Sequence, residues 1–208
     1  MPQFHPLDFP KSHYYEVITR ESERLTGLIN NVLDFSRLES GTRQYAFDTV
    51  DLRQLVQDLL DRYEFHLRAA TIDLVRQLPD SPVFARADRD ALEQVLVNLL
   101  SNAVKYMGDP AKTLRQVTVS IGRDAQQIVL RVSDTGIGMS EEQRPHIFER
   151  FYRSDDEQVR AVAGSGLGLT LVKAHIDAHA GTIVVDSTPG RGSTFAISLP
   201  LASSGAES

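Results

Sequence analysis

The sequence predicts an α+β fold, a two-layer sandwich with helices on one face of a mixed sheet, preceded by a separate amphipathic helix. Three observations carry this. Strand-like and helix-like segments are mixed in order between positions 45 and 199, which fits one layer of sheet against one of helix. One segment, 92–106, is apolar nearly all round and therefore belongs inside. The texture also changes at Gly41, with a single long helical pattern before it and strand patterns only after it.

In chain order, residues 1–14 hold three prolines and little periodicity and read as a poorly ordered leader. From 15 to 39, Ile18, Leu25, Leu28, Ile29, Val32, Phe35 and Leu38 recur at helical spacing, and Gly41 is placed to end the helix. This helix either packs on its own domain or turns its stripe toward another chain or an absent helix. Residues 45–50 look like a strand, and Asp51 can cap a helix over 52–70. Short strands are expected at 72–78 and 82–87, then a helix over 89–106 capped by Asp88. Two adjacent strands follow at 117–121 and 128–132, with a turn near 123–126. The stretch 135–165 is long, polar and punctuated by glycine, with a short helix expected around 141–151. A helix over 167–180 closes at Gly181, and final strands at 182–186 and 194–199 flank Pro189-Gly190-Arg191-Gly192.

Composition narrows the class. Of 208 residues, 41% are hydrophobic and 24% charged, the balance of a soluble globular protein. No apolar run approaches the ~18–20 residues of a membrane span, and no signal peptide is read at the start. Cysteine is absent, which excludes disulfides and thiolate metal sites. A net charge of −6 argues against general nucleic-acid binding but not against a nucleotide held in a local positive pocket.

Four segments can carry chemistry. On the apolar helix, Asn98 and Asn102 lie one turn apart and Lys105 follows on the same face. Buried amides need partners. Either the neighbouring backbone supplies them, or they share an anion and a hard cation, since amide oxygen suits Mg²⁺ and lysine suits phosphate. Ser133-Asp134-Thr135-Gly136-Ile137-Gly138-Met139 places a carboxylate at a strand end before two glycines. It is an ordinary turn, or a carboxylate poised to read an exocyclic amine such as that of adenine. Gly164-Ser165-Gly166-Leu167-Gly168-Leu169 precedes a helix, either as a hinge or as an anion-binding N-terminus. It matches neither the dinucleotide fingerprint nor the P-loop. Phe148-Glu149-Arg150-Phe151-Tyr152-Arg153 is either core aromatics beside solvated charge or a flap whose arginines reach phosphate.

Together and in this order, these segments resemble the catalytic and ATP-binding domain of sensor histidine kinases of two-component systems. The run from Asn98 to Tyr106 is similar to the N box of that family, and the run from Asp134 to Gly138 to its G1 box. Positions 148–153 are similar to the F box, 164–169 to the G2 box, and Gly190-Arg191-Gly192-Ser193-Thr194-Phe195 to the last glycine-rich box. Upstream, Glu21-Ser22-Glu23-Arg24-Leu25 and Ser36-Arg37-Leu38-Glu39-Ser40-Gly41 resemble the second helix of the dimerisation and phosphoacceptor module. The domains implied are a leader at 1–14, that helix at 15–43, the ATP-binding domain at 44–202 and a tail at 203–208.

The resemblance implies the Bergerat fold of the GHKL superfamily, with ATP and Mg²⁺ as ligands. It implies that Asn98 and Asn102 hold Mg²⁺, that Lys105 contacts phosphate and that Tyr106 lies against the nucleotide. Asp134 would bind the adenine amine, with Gly136 and Gly138 permitting its close approach. Gly164, Gly166 and Gly168 would shape the lid and deliver Leu167 and Leu169 to the pocket. Thr194 would help bind adenine, and Arg150 and Arg153 would reach the γ-phosphate. The implied partners are a phosphoacceptor histidine helix, from the same or the partner subunit, a response regulator, and a second copy in a homodimer. The implied place is the cytoplasmic side of the cell, with the parent protein either free or anchored in the inner membrane.

The sequence departs from the pattern in one main respect. The His-Glu-x-x-Thr-Pro acceptor box is absent, and neither His5 nor His13 has its context. His175 and His179, four apart, are expected to be solvated or capping rather than zinc ligands. Ala180-Gly181 stands where the family often has two glycines, with little effect expected. Related ATPases hydrolyse ATP with a glutamate at the position of Asn98, and an amide cannot act as that base. Two other readings stand beside a kinase: an ATP-binding interaction or sensing module without phosphotransfer, and a serine kinase of the anti-sigma type, whose members lack the upstream helix.

Overall fold

A computed structural model of the chain describes residues 11–108, 114–123, 126–153 and 165–201. They fall into two compact units that divide between Thr42 and Arg43.

The first unit is one helix, α1 (Lys11–Glu39). It starts four residues before the expected position, so 11–14 are helix rather than leader. Gly41 ends it at φ 65°, with Gly41 N–H donating to Leu38 O (3.1 Å) and Thr42 N–H to Arg37 O (3.0 Å). This crossed pair satisfies the last carbonyls and needs a left-handed residue, which glycine supplies without steric cost. Leu25, Ile29 and Val32 of the apolar stripe are exposed, while Leu28, Phe35 and Leu38 are half-buried.

The second unit holds everything else. Strand β1 (Asp48–Asp51) leads into α2 (Leu52–Ala69), where the Asp51 carboxylate accepts from Arg53 N–H and Gln54 N–H. Strands β2 (Asp73–Gln77) and β3 (Phe84–Ala87) follow, then α3 (Arg89–Lys105), capped by Asp88 accepting from Ala91 N–H (2.9 Å). Next come β4 (Gln116–Arg123), β5 (Gln127–Asp134), α4 (Gly168–Ala178), β6 (Thr182–Thr188) and β7 (Gly192–Pro200). Two of the positions expected to turn between β4 and β5, 124–125, lie outside the described residues.

The main sheet has the order β2-β4-β5-β7-β6, with β2 parallel to β4 and every other pair antiparallel. Strands β1 and β3 form a separate antiparallel pair. One side chain in two along the central strands points to the core: Val117, Val119 and Ile121, then Ile128, Leu130 and Val132, then Phe195, Ile197 and Leu199. Leu92, Val95, Leu96, Leu99 and Leu100 of α3 share that cluster, as do Val172 and Ile176 of α4. The two-layer α+β architecture follows from this one-sided burial.

Four local expectations change. Residues 43–47 are not strand, because Ala46 N–H donates to the Asp88 side chain (2.9 Å) instead of to a neighbouring strand. The helix expected at 141–151 is a single 3-10 turn, Arg144–His146, among other turns. Pro145 lacks an N–H and crowds the carbonyl four residues back, so the α pattern cannot propagate. Helix α3 is not buried all round, since Val97 is 37% exposed on the face it shares with Ser101. Ala180 adopts φ 52°, so alanine is held in a left-handed conformation there rather than being neutral.

Candidate functional site

The second half of α3 is the scaffold. Asn98 and Asn102 are half-buried on one face, and the helix stops when Tyr106 N–H donates to Asn102 O (2.9 Å). The loop after β5 hangs on that stop, with Ile137 N–H donating to Tyr106 O (2.9 Å). Asn102 and Asp134 are thereby joined through Tyr106 and lie at the same end of α3.

The glycines of this loop lie tight against backbone of the same protein. A Cβ on Gly136 would sit 2.2 Å from Tyr106 O, and one on Gly138 (φ 67°) 2.0 Å from Thr188 O. On the opposite side a Cβ on Gly192 would sit 1.9 Å from Asp134 O, and Gly190 N–H donates to Ile137 O (2.7 Å). The close approach that glycine permits is to the protein's own backbone. The loop is interlocked between α3 and the β6–β7 turn.

Within the loop, Asp134 is half-buried and accepts from Gly136 N–H (2.8 Å) and from Ser193 N–H. Desolvation outweighs both bonds and pushes its carboxyl up to about 6. Thr194 lies on β7 beside it, one residue out of register, and donates its hydroxyl hydrogen to Ser133 Oγ (2.9 Å). Ser133 and Thr135 were given no role from the sequence. Thr135 Oγ1 accepts from Gln116 N–H (2.9 Å) and donates to Leu114 O, tying the start of the loop to β4. Their signal was a pair of hydroxyls flanking Asp134 at the end of an otherwise apolar strand.

The third wall is the start of α4. A Cβ on Gly168 would meet Asn98 Oδ1 at 3.2 Å, so the helix begins directly against that carboxamide. Gly166 (φ 71°) packs on the Phe151 backbone, where a Cβ would meet it at 2.8 Å. Thr170 Oγ1 reaches Phe148 O and Glu149 O, both at 3.2 Å. Phe148 and Tyr152 pack against the core, while Phe151 and both arginines of the segment, Arg150 and Arg153, are exposed. Leu167 is buried and Leu169 packs partly on the core, while Gly164 lies outside the described residues.

Electrostatically, this end of α3 is cationic and underpaired. Asn98 Nδ2 is buried with no hydrogen-bond partner among the described residues. Lys105 is exposed by surface area, yet desolvation lowers its ammonium below the usual lysine value, so the side chain is partly shielded from water. Burial raises the Tyr106 phenol, and the positive charge of Arg153 opposes that shift, so Arg153 faces the same region. Turning a carboxamide over presents either its oxygen to a cation or its NH₂ to phosphate. The Asn98 and Asn102 pair therefore fits Mg²⁺, which takes one or two protein oxygens and completes its shell with phosphate and water. Among the described residues no three His, Cys, Asp or Glu side chains gather to hold a metal alone.

The two histidines of α4 are not solvated. His175 and His179 are buried. Tyr45 Oη bonds His175 Nδ1 (2.9 Å), Asp88 N–H donates to His179 Nε2 (3.0 Å), and His179 Nδ1 bonds His175 O (2.7 Å). His179 does cap α4. The pair forms a clip between the segment 43–47 and the starting end of α3, away from the candidate site.

Comparison with known proteins fits this geometry. The family model described as histidine kinase-, DNA gyrase B-, and HSP90-like ATPase matches residues 87–203. The circadian input-output histidine kinase CikA of Synechococcus elongatus is 36% identical over 199 residues, 95% of this chain and 26% of CikA. The sensor histidine kinase WalK of Bacillus subtilis is 31% identical over 184 residues, 88% of this chain and 30% of WalK. The chain thus spans less than a third of the length of these relatives. Among solved structures, the Acinetobacter baumannii histidine kinase AdeS superposes with a TM-score of 0.70 at 25% identity, covering 93% of this chain and 87% of that one.

Proposed function

The chain belongs to the family of histidine kinase-, DNA gyrase B- and HSP90-like ATPases, and on that premise we propose that it is the ATP-binding catalytic part of a sensor histidine kinase. The observation that carries this reading is the Asn98 carboxamide, half-buried and incompletely paired, set against the glycine that opens α4. An unpaired buried amide costs roughly 1–3 kcal/mol and is tolerated where a ligand completes it.

In this reading Asn98 and Asn102 would hold Mg²⁺, which would supply neutralisation of the phosphate charge. Lys105 contacts phosphate, Tyr106 covers the nucleotide, and Asp134 with Thr194 reads the adenine edge. Gly166, Gly168, Leu167 and Leu169 line the phosphate side, with Arg153 directed to the γ-phosphate. An acceptor imidazole nitrogen attacks the γ-phosphorus as the bond to the β,γ-bridging oxygen breaks, forming phosphohistidine and ADP. Positioning and charge neutralisation supply most of the acceleration. The acceptor helix, a response regulator whose aspartate takes the phosphoryl group, and a homodimeric partner are the macromolecules this chemistry calls for, in the cytoplasm. Among the described residues no helix is long and apolar enough to cross a membrane.

The test is phosphotransfer with [γ-³²P]ATP, with and without a separately purified helical hairpin bearing a His-Glu-x-x-Thr-Pro box. Binding of Mg·ATP, no label on the chain alone and acid-labile label on the hairpin are expected. Binding without transfer to any supplied hairpin would favour the sensing module, and no binding at all would end the nucleotide reading.

A further inference from the structure

The inward row of β6 reads Ile183, Val185, Ser187, so a serine stands where a third apolar side chain would complete the row. Ser187 is 7% exposed. Its hydroxyl is fully used: it donates to Gly192 O (3.0 Å), accepts from Met139 N–H (2.8 Å), and bonds Ser193 Oγ (2.9 Å). One hydrogen and two lone pairs allow three bonds, and with Gly192 O taking the hydrogen, Ser193 is the donor in its pair.

Those partners all belong to one device. Met139 is the far end of the loop that begins at Asp134. Gly192 is the residue packed on Asp134 O. Ser193 supplies the backbone N–H that the Asp134 carboxylate accepts. The middle of the loop is held by backbone bonds, from Ile137 to Tyr106 and from Gly190 to Ile137. Its exit at Met139 is held by the Ser187 hydroxyl. Gly138 has no room to shift toward Thr188, so the one direction open to a loosened exit is away from the hairpin, and the Asp134 carboxylate lies at the other end of that loop.

We propose that Ser187 is a positioning residue for nucleotide-base recognition: it never touches the ligand, and it fixes the loop that presents Asp134 to the exocyclic amine. This rests on the nucleotide reading above. In the full chain, S187A should raise the Kd for Mg·ATP about tenfold, the scale of one buried donor left unpaired. The loss should be selective. Purine riboside triphosphate, which lacks the exocyclic amine, should bind S187A and wild type within about twofold, so discrimination between the two nucleotides shrinks. S193A keeps the backbone N–H to Asp134 and leaves the Met139 and Gly192 bonds intact, and should retain discrimination. S187T keeps the hydroxyl and should restore it.

Hydrogen exchange on the wild type provides a measurement that needs no variant. Met139 N–H should exchange as slowly as the amides of β5 despite lying in a loop. Unchanged discrimination in S187A, or fast exchange at Met139, overturns the proposal. Failure of the wild type to bind either nucleotide instead overturns the kinase reading, and is distinguishable because Met139 protection is measured without ligand.

Discussion

The two ends of the candidate site are built on opposite plans. At the Asp134 end, the polar groups found are paired within the protein: Gly136 and Ser193 N–H serve the carboxylate, Ile137 N–H serves Tyr106 O, and Gly190 N–H serves Ile137 O. Three glycines let backbones touch where a Cβ would collide. At the Asn98 end, a buried amide nitrogen has no bond among the described residues and Lys105 is partly desolvated. The first end is preorganised, with its stability invested in holding one geometry. The second is left incomplete, and a ligand with phosphate and a hard cation would complete it. Substitutions at the first end should therefore cost fold stability together with binding, and at the second binding alone.

The largest effect is expected from Gly138→Ala. A Cβ 2.0 Å from Thr188 O at φ 67° forces two backbones apart, and about 3 kcal/mol or more of stability should be lost in a denaturant titration. Gly190→Ala shares the positive φ (73°) but would meet nothing within 4 Å, so it should lose only the conformational penalty of about 1–2 kcal/mol. Equal losses at the two glycines would dissolve the interlock.

Asn98→Ala tests the other end. Removing an unpaired buried amide should leave apo stability unchanged or slightly raised, while Mg·ATP affinity falls about a hundredfold, the loss of a charge-assisted ligand of roughly 3 kcal/mol. A large loss of stability at this residue would show that the amide is structural, and the contrast between the ends would disappear.

These contrasts mark what could be read from the sequence. The order of motifs was legible because apolar periodicity and glycine spacing survive in a linear string. Asp51 and Asp88 as caps, the α3 scaffold and the mixed sheet all followed from local chemistry. The partners of glycine were not legible: Gly136 and Gly138 signalled close approach, but only the folded chain shows that Tyr106 and Thr188 are what they approach. The burial of His175 and His179 was hidden because their partners, Tyr45 and Asp88, are about 90 to 130 residues away in the chain. The helix expected at 141–151 reduces to one 3-10 turn because Pro145 has no N–H to donate and crowds the carbonyl four residues back.

Asp134 gives a smaller, pH-dependent contrast. Its folded carboxyl, at about 6, lies above the ordinary value of 3.8. A raised value means that the stability from this group is fully present below about pH 4 and is lost as pH rises through about 6. The apo domain should weaken by roughly 2 kcal/mol across that window relative to Asp134→Asn, which should be flat there. ATP affinity should move the opposite way, falling as pH drops below about 6, because a protonated carboxyl loses acceptor capacity toward an amine. Calorimetric melts and binding isotherms from about pH 4 to 8 read both slopes, and parallel slopes would show that adenine does not meet the carboxylate.

The smallest effect is expected outside both ends. Tyr45→Phe removes the hydroxyl bonded to His175 and keeps the ring stacked edge-on against His175 and His179. About 1 kcal/mol of stability should go, as for one partly buried hydrogen bond. Mg·ATP affinity should stay within about twofold, because the clip joins residues 43–47 to the capped end of α3, roughly five turns from Tyr106. If affinity fell in step with stability, α3 would be transmitting a disturbance along its whole length. The division of the candidate site into one preorganised end and one ligand-completed end would then be a property of the entire helix rather than of its last two turns.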